Sequence, residues 1–168
     1  MNLNYSHLPS WLERNSVFRK LFLLRKMYLT RVRSSHYAQF AEDVAILRFF
    51  EPAYRGFFVD VGCFHPKKFS NTWRLYKRGW RGINIDIDSI KIDGFNLVRP
   101  GDVNITCAVS NTEGQATYYS GGFYALTTSL DRHFARAQPD GVARTVRCAT
   151  LTSLIDQTRY KDRRIDFL

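Results

Sequence analysis

The stretch Gly56-Phe57-Phe58-Val59-Asp60-Val61-Gly62-Cys63-Phe64-His65-Pro66 constrains the fold more than any other part of the chain. Its apolar run is nearly continuous, as a central parallel strand requires, because both faces of such a strand are covered. Gly62 permits a turn that a side chain would obstruct, and Pro66 prevents the ladder from continuing. Further on, Ile83-Asn84-Ile85-Asp86 reads as a second strand that also ends on an acid. Acids at the same relative place in two consecutive parallel strands mark a nucleotide or nucleoside cofactor lying across their carboxyl ends.

The segment between these strands completes a compact βαβ unit. Ser70 suits the N-cap of a helix over residues 71–78, Lys77 and Arg78 suit its C-terminus, and Gly79 is placed for the left-handed residue that follows. Upstream, residues 37–50 read as a helix by periodicity, with Phe40, Val44, Leu47 and Phe50 on one face and Pro52 ending it. Glu42 and Asp43 fall on its first turns, where acids complement the helix dipole. Downstream, residues 88–101 read as a helix or irregular crossover, broken at Asp93-Gly94 and Arg99-Pro100-Gly101. Residues 104–110 form a third strand and 116–119 a short edge strand. A helix is expected over 130–138, a turn at 139–141, a strand over 145–149, a helix over 151–157 and a buried strand beginning at 165–168. Strands alternating with helices make this an α/β fold with a mainly parallel sheet and flanking helices.

At 168 residues, 45% of them apolar, the chain has the material for one globular domain. Its formal net charge of +10 makes an anionic partner a natural suspect. No interleaved basic and aromatic module for specific nucleic-acid recognition is present. Residues 1–36 form a separate N-terminal extension, and 37–168 the domain proper. From Trp11 to Val32 apolar residues fall near helical spacing among Arg14, Arg19, Lys20, Arg25, Lys26, Arg31 and Arg33, against the single acid Glu13. A basic amphipathic helix of this kind either caps the fold or lies on an anionic membrane, through residues 11–33. No run reaches the length of a transmembrane helix, and no signal peptide is recognisable, which places the chain in the cytoplasm or at a membrane periphery. Cys63, Cys107 and Cys148 form no CxxC pattern and read as buried thiols; no metal site is expected.

A cofactor at the ends of the first two strands needs close backbone approach, which Gly62 allows, and an acid for the two ribose hydroxyls, which Asp86 supplies. Asp60 can meet an ammonium directly or through water. The turn holds one glycine and the bulky Phe64, where a dinucleotide fingerprint wants G-x-G-x-x-G to seat a pyrophosphate. A cofactor without phosphates fits better, and S-adenosyl-L-methionine is the common one.

These residues resemble a known family. Asp60-Val61-Gly62-x-x-His65-Pro66, Ser70-Asn71-Thr72 and Leu75-Tyr76-Lys77-Arg78-Gly79-Trp80-Arg81-Gly82-Ile83-Asn84-Ile85-Asp86 closely resemble the FkbM-type class I methyltransferases. Gln39-Phe40-x-Glu42-Asp43, Arg99-Pro100-x-Asp102, Ala108-Val109-Ser110, Thr150-Leu151 and Ile165-Asp166-Phe167-Leu168 extend the resemblance over residues 37–168. It implies a Rossmann-like class I methyltransferase fold, S-adenosyl-L-methionine as donor, and O-methylation of a hydroxyl on a sugar, glycolipid or natural product. Carried across by position, Asp60 and Gly62 match the first cofactor motif and Asp86 the ribose-binding acid. Gln39, Glu42, Asn71 and Thr72 match polar positions lining the same pocket. His65 is either a general base or an imidazole satisfying turn amides.

Two departures stand out. The family usually has Ser-Gln-x-Gly-Glu-Asp where this chain has Ala38-Gln39-Phe40-Ala41-Glu42-Asp43, so a hydroxyl and a flexible glycine are missing. Family members also continue past residues 165–168 into an Asp-x-Glu-Gly segment, so the fold reads as incomplete at the C-terminus, with acceptor-site residues expected beyond Leu168. The competing reading is a non-catalytic remnant or binding module that uses its basic surface for anionic partners.

Overall fold

The computed structural model describes residues 8–29, 32, 35–131, 133 and 142–168. Three parallel strands carry the site: β1 (Phe57–Val61), β2 (Arg81–Asp86) and β3 (Val103–Thr106), in the order β1-β2-β3. Phe57 pairs with Arg81 and Ile83 with Val103. The other edge of β1 takes residues 166–167: the Val59 amide donates to the Phe167 carbonyl at 2.9 Å, and the Phe167 amide to the Phe57 carbonyl at 3.3 Å. β1 therefore has its successors β2 and β3 on one side and the later segment on the other.

The mainly parallel sheet expected from the sequence describes only this part. A second, mixed sheet of order β4-β7-β5-β6 comprises β4 (Ala108–Val109), β5 (Gly114–Ser120), β6 (Thr128–Ser129) and β7 (Val142–Ala149). β4 runs parallel to β7, whereas β5 is antiparallel to both neighbours. The single strand expected over 104–110 is split at Cys107, whose amide still donates to the Asp86 carbonyl while Ala108 pairs with Cys148. β5 is longer than the expected 116–119; β6 covers it only at Tyr119 and Ser120, so residues 116–118 pair with β7 alone and lie at an edge.

Phe57, Val59, Ile83, Ile85, Cys107, Ala149 and Leu154 form the largest buried cluster, closed by helix α6 (Leu151–Asp156). Thr150 starts that helix by accepting from the Ser153 amide at 3.1 Å. Phe58, Leu75 and Trp80 form another cluster, with helix α4 (Trp73–Lys77). Ser70 Oγ accepts from the Trp73 amide at 3.1 Å, and Gly79 takes φ +89°, so the expected punctuation of this unit is present around a helix shorter than 71–78.

Three other local readings are corrected. The N-terminal helix is two, α1 (Ser10–Arg14) and α2 (Ser16–Leu29), because Asn15 is extended and its Oδ1 accepts from the Phe18 amide at 2.9 Å, capping a new helix. Asp93-Gly94 does not break helix α5 (Ser89–Val98). A Cβ at Gly94 would stand 3.2 Å from Met27 Cε and 3.4 Å from Tyr124 Oη, so glycine there permits close packing of α2 on α5. Finally, Ile165 and Leu168 are exposed, so 165–168 is a bridge to β1 rather than a buried strand. The helix expected over 130–138 and the turn at 139–141 lie outside the described residues, apart from Leu130, Asp131 and His133.

The helix expected over 37–50 is confined to α3 (Glu42–Leu47). Its acids fold the preceding chain into a turn: Asp43 accepts from the amides of Tyr37 and Ala38, Glu42 from that of Phe40 at 2.7 Å. Asp43 also binds Arg74 at 2.8 Å. The turn puts Ala41 at φ 66°, ψ 22°, the left-handed region, where the family pattern carries glycine. Ala41→Gly should therefore raise the unfolding free energy by about 0.5–1 kcal/mol, relief of backbone strain exceeding glycine's extra unfolded-state entropy. An unchanged or lower urea midpoint would refute this.

Candidate functional site

The carboxyl ends of β1 and β2, with β4 beyond β3, open on a cleft of about 500 Å³. Val61, Gly62, Asp86, Ile87, Cys107 and Val109 line it, and Thr128, Ser129, Leu130 and Asp131 complete the wall. β1 is the strand at which the order reverses, and in open parallel sheets the crevice outside such a switch point is where ligands bind. Gly62 takes φ +79°, which glycine alone adopts freely, and nothing lies within 4 Å of a Cβ built there. Its amide and that of Cys63 both donate to the Ile85 carbonyl, at 2.8 and 3.2 Å, turning the chain across the end of β2.

That turn wraps Asp86. Its Oδ2 accepts from the Phe64 amide at 3.2 Å and its Oδ1 from the Asp88 amide at 2.9 Å. Lys91 Nζ stands 3.5 Å from Oδ1, donates to Thr128 Oγ1 at 3.1 Å and lies 5.4 Å from the centre of the Phe64 ring. Both charged side chains are buried. The side chain is thus aimed by two amides, with the Lys91 ammonium beside it. The two amide donors leave acceptor capacity among the about four lone-pair sites of a carboxylate.

The donor set fits a ribose beside an apolar wall and does not fit a diphosphate. The helix after β1 has five residues, and its first amide is taken by Ser70. The helix after β2 is capped by its own acid, the Ile90 amide donating to Asp88 Oδ1 at 3.3 Å. At each end a first-turn amide that a phosphate would use is already taken by a side chain.

Asp60 belongs to a different arrangement. Its Oδ2 accepts from the Thr72 hydroxyl at 2.6 Å, and Thr72 Oγ1 accepts from Arg99 Nη1 at 2.8 Å. Arg99 is fully buried: Nε donates to the Pro66 carbonyl at 2.9 Å, and Nη2 to that carbonyl and to Ser70 Oγ. Its plane lies near the rings of Phe95, Trp73 and Tyr76. Burial pushes its pKa down to about 10, against the pull of Asp60 and Asp102. Burial pushes the Asp60 carboxyl up, opposed by the Thr72 hydroxyl and Arg99. Asp102 accepts from the Gly82 amide at 3.0 Å and from Asn84 Nδ2 at 3.1 Å, joining β2 to the same network. Arg99 and Asp102 had no role in the sequence reading beyond the family pattern. The usable signal was an arginine directly after a buried helix, which needs acids to enter the interior.

His65 Nδ1 accepts from the amides of Lys67 and Lys68 at 3.0 and 3.1 Å, so its lone pair is occupied by the turn. Nε2 is buried without a hydrogen-bond partner among the described residues. Burial, reinforced by Lys26, Lys67, Lys68 and Arg99, lowers its pKa to about 3. Of the two roles open to this imidazole, the geometry matches the turn-satisfying one and is at odds with a general base.

The remaining sequence-derived positions are scattered. Gln39 is exposed and lines a separate cavity of about 340 Å³ with His36, Lys68 and Phe69. Glu42 is engaged by its own turn, and Asn71 is exposed. The cleft therefore unites Gly62 and Asp86, while Thr72 joins Asp60 in the Arg99 network. Among the described residues no group of three His, Cys, Asp or Glu side chains could hold a metal ion. The three cysteines are free and buried, and burial pushes the Cys63 and Cys107 thiols up. No described helix is long and apolar enough to cross a membrane.

No curated protein and no solved structure matches the chain. The family profile described as the Methyltransferase FkbM domain matches residues 53–168, which contain β1, the Gly62 turn, Asp86 and the Arg99 network. With more than half of its length so matched, the chain belongs to the FkbM methyltransferase domain family.

Proposed function

We propose that this chain is a methyltransferase that uses S-adenosyl-L-methionine to methylate a hydroxyl of a small molecule or glycan, of the sugar, glycolipid or natural-product type. The observation that carries the reading is the buried, amide-aimed Asp86 beside Gly62 in one cleft at the switch point of the parallel sheet. Asp86 would accept from the ribose hydroxyls, the Gly62 turn would let the cofactor lie against the backbone, and Ile85, Ile87 and Val109 would flank the base. The cofactor supplies an electrophilic methyl group on a sulfonium.

The protein's part in such a transfer is alignment of the acceptor oxygen for in-line attack and removal of its proton. The alignment surfaces are those of the cleft. His65 is not offered as the base, since its accepting nitrogen is engaged. Three free, buried thiols support placement in a reducing compartment, the cytoplasm.

Calorimetric titration with S-adenosylhomocysteine tests the reading. The wild-type chain should bind, and Asp86→Ala should weaken binding at least tenfold, about 1.4 kcal/mol. Equal affinity in the variant would refute the ribose role. A wild-type chain that is folded by circular dichroism and binds nothing would instead favour the non-catalytic binding module.

A further inference from the structure

Helix α2 has two apolar faces. One buries Phe22, Leu23 and Met27 against α5, Phe123 and Tyr124. The other carries Val17, Leu21, Leu24 and Tyr28, at spacings of four, three and four, which places them in one stripe along the helix. These side chains are 65%, 62%, 37% and 58% exposed, and Trp11 of α1 is 68% exposed. An apolar stripe turned to solvent on a helix already anchored by its opposite face has no role in holding this fold together.

The polar residues around the stripe have one sign. Lys20 and Arg25 are exposed on its two flanks, and α2 contains no acid. At its end Lys67 donates to the Met27 carbonyl at 2.8 Å and lies 4.4 Å from the centre of the Tyr28 ring. The acids on α1 and α5, Glu13 and Asp93, are paired with Arg144 and Arg19. Exposed apolar residues with a tryptophan, flanked among the described residues by Lys20 and Arg25 with no acid beside them, match the chemistry of an anionic lipid surface: acyl chains for the stripe, headgroup phosphates for the flanks. A second copy of this chain is a poor occupant, because it would set the same cations against each other on a protein of net charge +10.

We propose that the outward face of α2, with Trp11, docks on an anionic lipid bilayer and lies in its interface. At about 1.5 Å per residue the helix runs about 21 Å, a span suited to the plane of the surface. Docking there leaves the cleft of Gly62 and Asp86 uninvolved, so the inference stands independently of the cofactor reading.

Co-sedimentation of the full chain with phosphatidylcholine vesicles, with and without about a third phosphatidylserine, tests it. Binding to the anionic vesicles alone, falling with added salt, is expected. Leu21→Asp with Leu24→Asp should cut partitioning by about tenfold or more without shifting the melt, since both side chains face solvent. Lys20→Glu with Arg25→Glu should do the same through charge, and provides a second variant at sites where folding is not at risk. Equal binding to neutral vesicles, or undiminished binding by both variants, would overturn the proposal. So would self-association in light scattering that Leu21→Asp abolishes while vesicles capture nothing.

Discussion

Arg99→Met should destabilise the fold by about 3–5 kcal/mol, the cost of leaving buried carboxylates without their cation. The guanidinium enters the interior only because its donors are engaged: Pro66 carbonyl, Ser70, Thr72 and, at 3.5 Å, Asn84 Oδ1. Removing it strands Asp60 at the end of β1 and Asp102 against β2, and frees the turn around Pro66. Arg99→Lys should recover little, because an ammonium cannot reproduce a planar fork reaching three segments at once. Urea unfolding measures both variants, and a loss under about 1 kcal/mol in Arg99→Met would show that the network is dispensable. Adding Asp60→Asn to Arg99→Met should cost less than the two changes separately. A coupling of about 0.5–3 kcal/mol is the expected signature of residues sharing Thr72.

That network shows which parts of the site were legible in the chain. Asp60 and Asp86 occupy the same relative place in consecutive strands, and local chemistry treats them alike. Their fates differ through distant partners: Asp60 meets Thr72 and Arg99, whereas Asp86 is held by the Phe64 and Asp88 amides and by Lys91. Glycines whose role is conformational were readable where they stand, since Gly62 and Gly79 adopt positive φ at strand and helix ends. Gly94 was not, because its role is set by Met27 and Tyr124 pressing on a helix it would otherwise seem to break. Periodicity failed over 37–50 for a related reason: Asp43 reaches back to two amides and across to Arg74, and these bonds outweigh a helical register. The division of the third strand at Cys107 depends on β7, whose pairing no local pattern around residue 107 encodes. The apolar residues of α2, which periodicity groups on one helix, divide between one face for α5 and one for solvent.

His65→Asn should flatten the acid side of the stability curve. The imidazole is buried and neutral, with a pKa lowered from 6.5 to about 3, first by burial and then by the surrounding lysines and Arg99. A base whose folded pKa lies below its unfolded value contributes stability above the unfolded pKa and loses it as the pH falls, because the unfolded chain takes up the proton first. From pH 7 to 5 the wild type should therefore lose about 2 kcal/mol relative to a protein without this group. Asparagine suits the comparison, since its Oδ1 can accept from the Lys67 and Lys68 amides that Nδ1 now serves, yet it does not titrate. Asp60, Asp88 and Asp102, whose carboxyls burial pushes up, have the opposite sign: they gain relative stability as they protonate. Those contributions are common to both proteins and cancel in the difference. Urea midpoints across pH 7 to 5 should thus converge as the pH falls if His65→Asn starts lower, or separate with the wild type below if it starts level. Parallel curves would mean that His65 reaches solvent and can exchange its proton, which would restore it as a candidate base for the acceptor hydroxyl.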